Sequence, residues 1–135
     1  MNVPLIVAGS LAVFGASVHG IGGELWVVRK LSTETLAPSR FGGPRMTKAM
    51  IHATWHMTTF AFLTLGCALL AAGTVLDGDA ARGIGVVAAA AFTGFGLLAV
   101  AAGAFYTRSP RTLRRHPGPL VLTATGLLAW WGAAL

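Results

Sequence analysis

The sequence predicts an all-α fold, a four-helix transmembrane bundle, on three observations: its composition, the spacing of its apolar runs and the sidedness of its charge. Of 135 residues, 55% are hydrophobic and only 10% are charged, whereas about a quarter of the residues of a soluble domain carry charge. A membrane span needs roughly 20 mostly apolar residues. Four such stretches can be read, at about 3–28, 49–76, 84–107 and 118–135, within a single integral membrane domain covering 1–135.

The first stretch is preceded by no Lys or Arg and exceeds the ~7–15 residue apolar region of a secretory signal, so it reads as a retained helix. A loop follows, with Ser32-Thr33-Glu34-Thr35, Pro38 and the Gly42-Gly43-Pro44 turn, residue types that end one helix and reset the chain. The second span carries the only cysteine, Cys67, which excludes an intrachain disulfide and reads as a small core residue. Asp77-Gly78-Asp79 forms the next turn, its carboxylates placed to cap the third helix.

The third span is rich in small residues at helical spacing, among them Gly85, Ala88, Ala89, Gly96 and Gly103. Small residues let backbones approach where lipid supplies no hydrophobic drive. That stripe predicts packing within the bundle, or contact with a second copy or a larger membrane complex. The fourth span ends near Trp130 and Trp131, whose indoles favour the membrane–water interface.

The net charge of +6 is explained by sidedness. Arg29, Lys30, Arg40, Arg45 and Lys48 flank the first loop and Arg108, Arg111, Arg114 and Arg115 fill the third, leaving Arg82 alone on the other side. The positive-inside rule then places both termini on the non-cytoplasmic side of a multi-pass protein of the cell (cytoplasmic) membrane. Arg108, Arg111, Arg114 and Arg115 are expected to contact anionic lipid head groups, and nucleic acid is not an expected partner.

Polar groups inside apolar spans are costly and point to function. His19 and Glu24 lie near the end of the first span, His52 and His56 near the start of the second, and His116 opens the fourth. By helix rise, His19 and His56 both sit about 15 Å from the shared loop, with Glu24 and His52 one turn nearer it. His52 and His56, four apart, share a helix face. His19 and Glu24, five apart on a regular helix, diverge by about 140°. Trp55 is expected to face lipid or the loop side.

These ligand types suit zinc, copper or iron. Two histidines at one depth on adjacent helices also suit a b-type haem, with Gly20, Gly22 and Gly23 making room for the ring. A quinone or lipid pocket, a membrane enzyme using a histidine base, and an accessory subunit in which the same groups only pair helices use the same residues. No nucleophile elbow, Walker loop, Rossmann glycine motif or CxxC pair occurs.

At these positions the chain resembles a family of small bacterial four-span membrane proteins of unassigned activity. His19-Gly20-Ile21-Gly22-Gly23-Glu24 is similar to that family's H-x-x-x-G-E ending of the first span. Trp55-His56-Met57-Thr58-Thr59 is similar to its W-H-x-T-x start of the second, and Arg115-His116-Pro117 to its entry into the fourth. The family often has arginine where His52 stands, so the resemblance favours His19, Glu24 and His56. It implies the four-span layout and brings no activity with it.

Overall fold

The computed structural model describes residues 1–108 and 116–135, and the described residues are helical with no β-strand. α1 (Val3–Ser17) runs through a π-helical turn (Val18–Gly22) into the short α2 (Gly23–Trp26) and a 3₁₀ turn at Val28–Lys30. α3 is Pro44–Thr74, α4 is Gly78–Thr107 and α5 is Pro117–Ala134.

The boundaries follow from capping chemistry. The Asn2 side chain accepts from Leu5 N at 3.2 Å, satisfying one of the donors that a helix start leaves orphaned. α3 begins five residues before the expected span, because Pro44 is suited to the first helical turn, where its missing N–H costs nothing. α4 begins at Gly78, whose φ of 58° turns the chain. Asp77 occupies the N-cap position without a side-chain cap bond, while Asp79 in the first turn meets the positive end of the helix dipole. α4 closes on Arg108 in the left-handed region, at φ 48°.

The helices pack as an antiparallel ring: α1 on α3, α3 on α4, α4 on α5 and α5 back on α1. One end is tied together by the chain start, with Asn2 N donating to Gly73 O at 2.8 Å and Asn2 Nδ2 to Gly132 O at 2.7 Å. At the same end Arg82 Nε donates to Ala133 O at 3.1 Å. The Arg29–Lys48 loop lies at the opposite end.

Leu5, Ala8, Ala12 and Ala16 form the buried stripe of α1, facing Phe62 and Leu69 of α3, Ala88 and Phe92 of α4, and Ala129 of α5. Phe62 packs on Phe92 and Phe95 at ring distances of 5.8 and 5.0 Å. Close approach is concentrated between α1 and α3. A Cβ on Gly9 would stand 2.8 Å from Gly66 O, and one on Gly66 3.0 Å from the backbone of Val13.

The small residues of α4 are divided. Ala88 and Ala89 are buried and Gly85 faces Ala133, whereas a Cβ on Gly83 or Gly94 would meet nothing within 4 Å. Cys67 is exposed, which corrects its reading as a core residue, because the close α1–α3 contact runs through its neighbour Gly66 and turns Cys67 outward.

Three helical segments, Val3–Lys30, Pro44–Thr74 and Gly78–Tyr106, are long and apolar enough to cross a membrane. Their outward faces are apolar: Phe60 is 70% exposed and Leu98 68%. By helix rise the 31 residues of α3 extend about 46 Å, beyond the ~30 Å hydrocarbon core. The 18 residues of α5 reach about 27 Å, and Pro117, Pro119, Thr123 and Thr125 dilute their hydropathy. α5 is therefore not among the segments that length and composition alone identify.

Candidate functional site

The polar groups of the first two apolar segments meet where α2 faces the first turns of α3. On α3, His52, Trp55, His56 and Thr59 recur at spacings of three and four, so one helix face presents all of them to the first helix. On the other side the chain leaves regular α geometry at Val18, one residue before His19. The i→i+5 bonding of the π turn adds one residue to the turn between His19 and Glu24, and both side chains reach α3. They diverge onto different partners there, His19 meeting Thr59 and Trp55 and Glu24 meeting His52 and His56.

Glu24 Oε2 is 3.2 Å from His52 Nε2 and 3.3 Å from His56 Nε2. His56 and Glu24 are in hydrogen-bond geometry, and the two imidazoles pack edge to face at 4.7 Å. All three residues offer ligand atoms within 4.8 Å of one another. Side-chain exposures of 49% for His52, 41% for His56 and 26% for Glu24 leave the cluster open to an incoming ion.

His19 lies outside this group. Its Nδ1 is 2.9 Å from Thr59 Oγ1, and its ring stacks on Trp55 at 4.4 Å with 9° between planes. Phe62 closes the other approach in an edge contact at 5.6 Å. Trp55 Nε1 donates to the carbonyl oxygen of His19 at 2.9 Å. Trp55 is thus half-buried against the first helix, and the expectation that it faces lipid or the loop is corrected. Gly23 makes this seat, since a Cβ there would collide with the indole.

Of the expected rungs, Glu24 with His52 is met, at 3.2 Å, and His56 joins it, whereas the rung of His19 with His56 is replaced by a separate His19–Thr59–Trp55 set. Counting depth from the loop treated both helices as regular, whereas the π and 3₁₀ turns shift the register of the first. A haem held between His19 and His56 would need a ring-sized gap between α1 and α3. At this level a Cβ on Gly20 would stand 2.7 Å from Thr59 Cγ2, so the helices fill that space.

His116 is the N-cap of α5, its Nδ1 accepting from Gly118 N at 3.1 Å, and it is not part of the cluster. Arg108 is exposed at the end of α4, while Arg111, Arg114 and Arg115 lie outside the described residues.

Beside the cluster a groove of ≈ 460 Å³ runs between the first helix and α3, lined by Ala16, Gly20, Ile21, His56 and Leu63 among others. Of the site's supports, the seat of Trp55 on Gly23 was not foreseen, because it depends on a contact between segments far apart in sequence.

Compared with known protein families, with curated proteins and with solved structures, the chain finds no match.

Proposed function

We propose that this chain is a four-span protein of the cell membrane that binds a divalent transition-metal ion through Glu24, His52 and His56, near the cytoplasmic leaflet. The observation that carries the reading is the spacing of Glu24 Oε2 to the two Nε2 atoms, 3.2 and 3.3 Å. Ligands held about 2.0–2.2 Å from a tetrahedral zinc ion stand roughly 3.3 Å apart, so two edges of a coordination shell already have the right length.

A two-histidine, one-carboxylate set leaves a coordination position for water or a ligand, as in open zinc sites, and is also the donor set of non-haem iron. Membrane placement is supported by the three long apolar helices and by the antiparallel ring, which brings α5 alongside them. The basic first loop at the site end supports its assignment to the cytoplasm.

A second reading draws on the same distances. His56 already forms a hydrogen bond to Glu24 across the two helices, and interhelical polar contacts of this kind fasten membrane helices, at about 0.6 kcal/mol on average.

One experiment separates them: zinc titration of the purified full chain in mild detergent, with metal analysis by mass spectrometry and an absorption spectrum. The metal reading expects one zinc per chain, with Glu24→Gln and His56→Ala each weakening binding by at least 100-fold. Zinc uptake that is substoichiometric, or equal in the variants, leaves helix pairing as the role of these residues. A Soret band would reinstate haem.

A further inference from the structure

The groove beside the cluster has a polarity that matches one class of molecule. Its walls, Ala16, Gly20, Ile21, Leu25 and Leu63, are apolar, and Glu24 and His56 stand at one end. The two hydroxyls in its lining are spent: Ser17 Oγ donates to Val13 O at 3.0 Å, and Thr59 Oγ1 donates to Trp55 O while pairing with His19. The polar end therefore belongs to the metal cluster alone.

The groove is also oriented like a lipid leaflet. Glu24 and His56 lie towards the loop end, and the lining runs from them by about two turns along each helix, roughly 10–12 Å, towards the middle of the bundle. Its rim opens sideways, with Ile21 67% exposed, so a molecule dissolved in the bilayer can enter without crossing water. A volume of ≈ 460 Å³ falls in the range of small-molecule sites.

Charge selects the head group. With a divalent ion on one carboxylate and two neutral imidazoles, the site carries a net charge of +1 and an open coordination position, which favours an anionic oxygen ligand. Without the ion, the Glu24 carboxylate repels the same head. We propose that the site binds the carboxylate of a single-chain fatty acid on the metal held by Glu24, His52 and His56, with the acyl chain in the groove between α1 and α3. This rests on the metal reading above and adds the ligand class.

The test uses the full chain in phosphatidylcholine nanodiscs, loaded with zinc and freed of excess ion, or stripped with EDTA. Binding of decanoate carrying a ¹³C carboxyl is followed by NMR, with bound zinc quantified in the same samples. Saturable binding of one decanoate per chain is expected, at least 10-fold tighter with zinc than without, and weaker for decanol. Ser17→Trp, which fills the groove from an exposed position remote from the ligands, should keep its zinc and lose decanoate binding by at least 10-fold.

If zinc is held but decanoate only partitions as it does into empty nanodiscs, or binds equally in stripped protein or in Ser17→Trp, the fatty-acid inference fails and the metal site stands. If no zinc is retained, both fail.

Discussion

Trp55 and His19 are joined twice: their rings stack at 4.4 Å, and the indole Nε1 donates to the His19 carbonyl oxygen at 2.9 Å. The bond reaches the backbone of the π turn, one turn before Glu24. The indole thus fixes the segment that aims the carboxylate at His52 and His56, without touching the cluster itself.

That coupling makes Gly23 a positioning residue. Gly23→Ala drives a methyl into the Trp55 ring, an overpacking expected to cost about 1–3 kcal/mol. Because the displaced backbone carries Glu24, zinc affinity should fall with it. Gly83→Ala is the control: a Cβ there meets open space, so thermal unfolding in detergent should be unchanged or raised by up to about 1 kcal/mol. Equal behaviour of the two variants would sink the argument.

Thr59→Val removes the partner of His19 Nδ1 but leaves the three cluster residues in place. Thermal stability should drop by about 1 kcal/mol, with zinc binding within a factor of two or so of the parent. A loss of zinc comparable to that of His56→Ala would bring His19 back into the ligand set.

Metal affinity should fall on acidification, because an imidazole must be unprotonated to ligate. With two histidines in the set, the decline in zinc affinity should steepen to roughly 100-fold per pH unit once both are protonated in the free protein. Competition titrations with a chelator between pH 8 and pH 5 would show it. A flat profile contradicts histidine ligation.

Asn2→Ala takes away the cap of α1 and the side-chain donor to Gly132 O. A loss of about 1–3 kcal/mol is expected from the cap and the stranded carbonyl together, read as a lower unfolding temperature with zinc affinity unchanged.

Much of the fold was legible because apolar runs and turn residues are local signals. The four helices appear where the runs lie, and the antiparallel order follows from the short connections. The starts of the second and third were misplaced towards the interior: hydropathy fades over Pro44–Lys48 and over Gly78–Gly83, but helix geometry continues to the proline and to the glycine turn. In the site, the i,i+4 pairing of His52 and His56 was readable from spacing alone. The separation of His19 from that pair was not, because a π turn alters the phase of a helix without leaving any mark in its hydropathy. The seat of Trp55 on Gly23 is likewise a long-range fit, invisible to any local pattern.

The unequal lengths of α3 and α5 bear on traffic through the protein. A bilayer that fits about 27 Å of α5 leaves several turns of α3 standing beyond the hydrocarbon, and those first turns, from Pro44 onward, carry His52 and His56. An ion would reach them from interfacial water and leave the same way. Beyond Thr59 the buried residues of α3 are Phe62, Gly66, Leu69, Ala72 and Gly73, which give a bare cation no foothold. On the proposed metal reading, this geometry suits a berth near the membrane surface that exchanges its ion with the compartment at the loop end.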